Sequence, residues 1–139
     1  MLSDSTILAA LPARDLERAR RFYRDMLDLE PTAETRQGLI YQAGDGTRFL
    51  LFPSAGAASG SHTQVTFLVN DLQAEVEDLK ANGVVFEEYD LPDLKTVAGM
   101  VTTRSLDAAW FKDSEGNLLN LVQMDRTSWD VRAVAARNQ

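Results

Sequence analysis

The sequence contains the same structural plan twice, and this repeat constrains the fold more than any other feature. Asp15 opens a helix-like stretch after a short apolar run, and Asp71 does the same 56 residues later, the difference between 71 and 15. An Asp-Gly turn at Asp45 precedes another apolar run, and Glu115 with Gly116 does so 70 residues later, the difference between 115 and 45. Each half therefore predicts a strand, a helix and three further strands.

Neither half alone closes a sheet that buries both of its faces. We therefore predict an α+β fold in which two repeated βαβββ modules form a curved mixed sheet around a cleft, with the helices on the outside. The first module spans about 5–53, a linker rich in Ala, Gly and Ser spans about 54–61, and the second module spans about 62–124, followed by a tail at 125–139. With 139 residues, a single domain is expected.

Local signals give the bounds of several elements. The run 7–11 is typical of a strand that Pro12 ends, and Asp15 is a predicted helix N-cap. In the second half, a helix over 72–81 is predicted to end at Asn82 and Gly83.

The remainder of the second half gives weaker signals. A strand is predicted at 84–88, followed by a long loop over 91–105 of the kind that often covers a functional site. The turn after the strand at 108–112 carries Asp113 and Glu115, which we expect to be solvated. A short helix is predicted over 128–137.

Charge and composition exclude several classes of partner. The formal net charge of −7 makes nucleic acid a poor partner, because phosphate binding needs a basic patch. No apolar run approaches the length of about 20 residues that a membrane span needs. The absence of cysteine excludes disulfides and Cys-ligated zinc. With no secretion-type leader at the N-terminus, we expect a cytoplasmic protein.

Several short motifs in this order resemble the vicinal oxygen chelate superfamily. Its members include glyoxalase I, extradiol dioxygenases, and fosfomycin- and bleomycin-resistance proteins. The motifs are Asp15-Leu16 with the segment 22–29, the segment 67–71, and the segment 111–119. Asp28 stands where the family usually has Gly, and Ser114 where it usually has Pro. The resemblance covers roughly 7–122 and implies the fold, whereas the reaction varies widely among proteins of one fold.

The resemblance also implies where a metal centre would lie in the enzymes of the family. Those positions here are Leu8, Leu50, Gln64 and Asn120, where metalloenzymes carry His, Glu or Gln. Two leucines supply no donor atom, and two neutral amides supply no charge to a divalent ion. We therefore expect no metal and no other cofactor. His62, the single histidine, is expected to be exposed beside the linker.

Strand alternation places the same four positions on one largely apolar face, which is the usual composition of a small-molecule site. The candidate ligand-binding residues are Leu8, Arg48, Leu50, Phe52, Gln64, Thr66, Trp110 and Asn120. An alternative is that the amides of Gln64 and Asn120 satisfy each other or water. For Trp110, the core or a dimer interface is the other interpretation.

The sequence thus favours a protein that sequesters or senses a small organic molecule. The net charge also suits a cationic ligand, although the predicted face holds no carboxylate and adds Arg48. The alternative is a metal-independent isomerase, epimerase or lyase that uses Tyr89, Asp93, Lys95 or Arg104. A weaker alternative is a metalloenzyme, such as a lyase or dioxygenase, with relocated ligands such as His62 with Glu87 or Glu88. A homodimer is also expected, as in the family.

Overall fold

The computed structural model describes residues 1–102 and 106–123, and it confirms the α+β class with two repeated modules. The elements are β1 (Ala9–Ala13), α1 (Leu16–Leu27), β2 (Ala33–Glu34), β3 (Leu39–Gln42), β4 (Arg48–Pro53), β5 (Thr63–Val69), α2 (Leu72–Asn82), β6 (Asp90–Leu91), β7 (Leu94–Lys95), β8 (Met100–Thr102), β9 (Asp107–Lys112) and β10 (Leu118–Gln123). One four-stranded sheet has the order β1-β4-β3-β2, and the other has the order β5-β10-β9-β8. The two sheets therefore use equivalent strands in the same order.

The chain divides into two compact units whose boundaries do not follow the repeat. The first unit is Met1–Val65 with Lys112–Leu118, and the second is Thr66–Phe111 with Leu119–Gln139. The turn that joins β9 to β10 belongs to the second module by sequence but to the first unit by its contacts. In the part of the chain that the structure describes, neither helix is long and apolar enough to cross a bilayer.

The prediction that Pro12 ends the first strand was wrong. Pro12 lies inside β1, opposite Phe52 of β4, and the two strands are parallel. The strand therefore runs from Ala9 to Ala13 rather than over 7–11. Because β1 is at the edge of its sheet, a residue without an N–H group is tolerated there.

Both helices begin as the sequence predicts. The carboxylates of Asp15 and Asp71 each accept a hydrogen bond from the backbone N–H three residues further along, which satisfies one of the free donors of a helix N-terminus. At the other end, Gly83 closes α2 with φ 108°, whereas Asp28 closes α1 with φ 57°. Asp is one of the few residues besides Gly that adopt this left-handed conformation, so the departure at Asp28 preserves the helix end.

Aromatic side chains pack α1 against the first sheet. Tyr23 of α1 is fully buried, and its ring centroid lies 5.4 Å from that of Tyr41 and 5.7 Å from that of Phe49. The rings of Tyr41 and Phe49 stack at 5.0 Å with planes 6° apart. The helix therefore covers the sheet face that carries Tyr41 and Phe49.

Two predictions for the second half were wrong. The segment 84–88 is not a strand, because only Phe86 forms a β-bridge, to Phe111 of β9. The segment 91–105 is not one loop, since it contains strands of a β6–β7 hairpin and all of β8. A tight turn at Ala98 and Gly99, with φ of 54° and 82°, precedes β8. The helix predicted over 128–137 lies outside the described residues.

The expectation that the carboxylates of the β9–β10 turn are solvated was also wrong. Asp113 is 5% exposed and Glu115 is 7% exposed. The Asp113 carboxylate accepts hydrogen bonds from the Tyr23 hydroxyl at 2.7 Å and from the Asn117 side-chain amide at 2.8 Å. It also accepts the backbone N–H groups of Glu115 and Asn117, each at 2.9 Å. A buried charge is tolerated at this place because four donors replace its hydration.

Glu115 is held in a similar way. Its carboxylate accepts two hydrogen bonds from the Arg18 guanidinium, at 2.8 and 3.0 Å, and one from the Asp15 backbone N–H at 2.9 Å. The hydrogen bond from Arg18 is the largest cause that lowers the pKa of Glu115 from 4.5 to about 2. The β9–β10 turn of the second module is thus hydrogen-bonded to the start of α1.

The two buried tyrosines give a matched test of these contacts. Tyr23→Phe removes a hydrogen bond to a charged group, so the free energy of unfolding should fall by about 1.5–3 kcal/mol. The Tyr41 hydroxyl is buried with no partner among the described residues. Tyr41→Phe should therefore be neutral or stabilising by about 1 kcal/mol. Urea unfolding at pH 7 measures both, and an equal loss in the two variants would contradict the assignment of the Tyr23–Asp113 bond.

The lowered pKa of Glu115 predicts how stability depends on pH. A carboxylate with a folded-state pKa below its unfolded-state value stabilises the fold at neutral pH, and this contribution is lost as pH falls from about 4.5 to about 2. Glu115→Gln should be less stable than the original chain at pH 7. The difference should shrink by about half or more across that acidic window. Urea midpoints of both proteins at several pH values measure the effect, and a difference independent of pH would refute it.

Candidate ligand-binding site

The first sheet has one covered face and one open face. Side chains on the α1 side, such as Leu11, Phe49 and Leu51, are less than 5% exposed. Alternate residues of the same strands point to the other side, where Leu50 and Phe52 are only partly buried. This side is the open face of the first sheet, and Leu50 and Phe52 lie on it as the sequence predicts.

The strand register defines three rows across this open face. The central row is apolar on all four strands, and it consists of Ala10, Leu50, Ile40 and Ala33. At one end of the face, Pro12 lies opposite Phe52, and at the other end Arg48 lies opposite Gln42. Leu8 directly precedes β1 and is 39% exposed. The two apolar rows together form what we call the floor of this face. The exposed guanidinium of Arg48 and the amide of Gln42 lie at one end of it.

The second sheet carries an equivalent row of different chemistry. The offsets of 56 and 70 map Ala10, Leu50 and Ile40 onto Thr66, Asn120 and Trp110. The Thr66 hydroxyl donates to the Asn120 carbonyl oxygen at 3.0 Å, which agrees with this mapping. The Asn120 amide nitrogen donates to the backbone carbonyl of Ala109 at 3.0 Å, and the side chain is 5% exposed.

Trp110 is partly buried, and its ring meets that of Tyr89 edge to face at a centroid distance of 5.7 Å. Gln64 is also engaged, because its carbonyl oxygen accepts the Leu118 backbone N–H at 3.3 Å. The two amides of the predicted set therefore bond to neighbours within the protein rather than to each other.

The four positions that correspond to the family's metal ligands do not fit a metal ion. Leu8 and Leu50 have no donor atom, and the carbonyl oxygens of Gln64 and Asn120 already accept hydrogen bonds. Neutral amide oxygens without a carboxylate or imidazole are poor replacements for the hydration shell of a divalent ion. Across residues 1–102 and 106–123, no group of three or more His, Asp or Glu side chains could hold a metal.

The other predicted functional residues lie in exposed positions or in packing contacts. His62 is exposed next to β5, and Asp93 is exposed between β6 and β7. Lys95 forms an exposed ion pair with Asp90. Burial raises the pKa of Tyr89, so that its phenol stays neutral at physiological pH. Arg104 lies outside the described residues.

The fold and this arrangement agree with a comparison to known families. Residues 7–121 match the model of the Glyoxalase/Bleomycin resistance protein/Dioxygenase superfamily, and the chain belongs to that superfamily. No curated protein sequence matches the chain significantly.

Three solved structures illustrate the shared fold. A glyoxalase/bleomycin resistance protein/dioxygenase from Alicyclobacillus acidocaldarius is 16% identical, with a TM-score of 0.68 over 91% of this chain and 97% of that chain. The fosfomycin resistance protein FosX from Listeria monocytogenes is 13% identical, with a TM-score of 0.66 over 87% and 93%. TnmS3, an antibiotic binding protein from Streptomyces sp. CB03234, is 22% identical, with a TM-score of 0.60 over 86% and 97%.

The residues of the open face that the sequence prediction lacks include two of β3. Ile40 and Gln42 lie beside Leu50 and Arg48 on β3. The repeat contained the signal for Ile40, because it precedes Leu50 by 10 positions just as Trp110 precedes Asn120. Alternation along β3 then places Gln42 on the same face.

The donor set predicts that this protein holds no divalent metal at the family's positions. Dialysis against EDTA should leave the melting temperature unchanged within about 1 °C, because no bound metal is lost from the folded state. Elemental analysis of protein purified without chelator should find well below about one metal ion per chain. A stoichiometric metal whose removal lowers the melting temperature by several degrees would contradict the prediction.

Proposed function

We propose that this protein binds a small organic molecule on the open face of its first sheet and does so without a metal. The observation that carries the proposal is the row of Ala10, Leu50, Ile40 and Ala33, which is apolar across all four strands. An apolar surface with a few polar groups at its border is the usual composition of a ligand site.

The family supports this proposal. It contains resistance proteins, and a relative with this fold, TnmS3, is described as an antibiotic binding protein. A protein that sequesters or senses a ligand needs affinity but no reactive group. The first module supplies such a surface, since Leu8, Leu50 and Phe52 are apolar and lie where solvent reaches them at least in part.

The other candidate residues lie on the second sheet, and there the proposal assigns each of them only a polar or aromatic group offered to a ligand of that sheet. Thr66 is exposed, and its hydroxyl already has one partner in Asn120. A hydroxyl that donates to a neighbour keeps its lone pairs as acceptors for a ligand. Trp110 offers a partly exposed ring for stacking. Gln64 and Asn120 support these residues by fixing the backbone around them.

A catalytic role receives less support from the described residues. Asp93 and Lys95 lie on an exposed hairpin, where neither burial nor a hydrogen-bond network prepares them for proton transfer. The phenol of Tyr89 packs beside Trp110 with a raised pKa, which disfavours its use as a base. The cytoplasmic location and the homodimer inferred from sequence stay predictions alongside this proposal.

The proposal is tested by finding a ligand and then displacing it from the face. A panel of metabolites and antibiotics is screened by native mass spectrometry and thermal shift, and the best compound is titrated by calorimetry. Leu50→Asp should weaken its binding by more than about tenfold, because a carboxylate replaces apolar contact area in the middle of the floor.

Val85→Asp is the matched control, because it makes a comparable change at an 83% exposed apolar residue that does not belong to this sheet. Its binding should stay within about twofold of the original. Circular dichroism of both variants confirms folding. If a compound binds the original chain and Leu50→Asp equally well, then the open face is not the binding site and the proposal fails.

A further inference from the structure

The charge on the open face is opposite in sign to the charge of the protein. The chain carries a formal net charge of −7, yet the three rows of this face contain Arg48 and no carboxylate. The strands of the first sheet contain one acid, Glu34 on β2. It is paired with Leu39, on the α1 side, and forms an ion pair with Arg20 of α1. The one acid of these strands is therefore directed away from the floor.

Arg48 has no acidic partner within the described ranges 1–102 and 106–123. The ion pairs there use the N-terminus, Arg18, Arg20, Arg24 and Lys95. Arg18, Arg20 and Arg24 all belong to α1, on the opposite side of the sheet. Arg48 lies beside the apolar floor, and no carboxylate of the described residues neutralises it there. Its planar set of N–H donors is therefore available to a molecule bound on that floor.

The geometry sets the shape of a matching molecule. Arg48, Leu50 and Phe52 alternate along β4, so successive members lie about 7 Å apart and the outer two about 13 Å apart. Gln42 lies directly opposite Arg48 and adds amide donors at the same end. The complementary molecule has an apolar body roughly one or two rings long and an anionic group at one end.

We propose that the ligand class of this site is the apolar organic acid, with its carboxylate bound by Arg48 and Gln42 and its body on Leu50, Ile40 and Phe52. This inference rests on the proposed function and specifies its ligand. Arginine binds a carboxylate through two parallel hydrogen bonds, and such charge-assisted bonds are stronger than neutral ones. A cationic ligand, which the net charge alone would suggest, would meet a like charge at the polar end of the floor.

Three probes with the same naphthalene body test the inference: 2-naphthoate, 2-naphthamide and 2-naphthylmethylammonium. Calorimetry at pH 7 should find that naphthoate binds about tenfold more tightly than the amide, and the ammonium most weakly, because only the acid gains a charge-assisted pair. Arg48→Gln should weaken naphthoate binding about tenfold and leave naphthamide within about twofold. The affinity of Arg48→Lys for naphthoate should fall between those of the original chain and of Arg48→Gln, because lysine keeps the charge but lacks the planar pair of donors.

Arg21→Gln is the matched control. It removes one positive charge from an exposed arginine of α1, on the other side of the sheet, and should leave all three affinities unchanged. If Arg21→Gln and Arg48→Gln lose naphthoate binding equally, the effect comes from the net charge of the protein and the inference is overturned.

The outcomes separate this inference from the proposed function. If naphthoate and naphthamide bind equally and Arg48→Gln changes neither, while Leu50→Asp abolishes both, then the face binds ligands but does not select acids. If no naphthalene probe binds, but a panel compound without an acidic group binds and Leu50→Asp weakens its binding, the acid class is again overturned and the proposed function stands. If no probe and no panel compound binds the folded protein, both are overturned.

Discussion

The buried carboxylate of Asp113 is the constraint on which the first compact unit depends. Four donors converge on it, from the Tyr23 hydroxyl, the Asn117 amide and two backbone N–H groups of its own turn. Because a buried carboxylate is costly unless its hydrogen bonds are satisfied, the donor that α1 supplies through Tyr23 stabilises the turn, and the turn likewise stabilises the position of α1. The same contact fixes Tyr23, whose ring packs on Tyr41 and Phe49. Through Tyr23, one carboxylate thus connects the turn, the helix and the covered face of the sheet.

With one face of the sheet covered by α1, strand alternation directs the other residues of each strand to a face that this helix does not cover. Leu51 and Leu50 are neighbours in sequence, yet Leu51 is fully buried and Leu50 is partly exposed. The covered face accordingly carries the aromatic core and the acid Glu34, which α1 neutralises through Arg20. The open face keeps mostly apolar residues together with Gln42 and Arg48, and Arg48 has no acidic partner among residues 1–102 and 106–123. Stability and the proposed recognition are therefore encoded by alternate residues of the same strands.

Where two independent signals agreed, the sequence was sufficient to predict structure. The repeat and the capping residues together gave both helix starts and the equivalent strands of the two sheets. Single signals failed: Pro12 did not end β1, because an edge strand tolerates proline. The turn before β8 was missed because Ala98 occupies a left-handed position that Asn or Gly normally marks. The burial of Asp113 and Glu115 depended on partners about 90 to 100 residues away, which no local pattern contains.

The repeat also shows how the two halves have diverged at equivalent positions. Leu50 and Asn120 are equivalent, and each fits the role of a metal ligand poorly for a different reason: Leu50 lacks a donor atom, and the Asn120 amide bonds to Thr66 and to the backbone. Asn120 is buried and bonded, whereas Leu50 is partly open to solvent. Asn120 thus bonds within its own sheet, and the Leu50 side chain stays partly exposed on the open face. For this reason the proposed binding surface is centred on the first module, where the floor is apolar and its single charge is unpaired among the described residues.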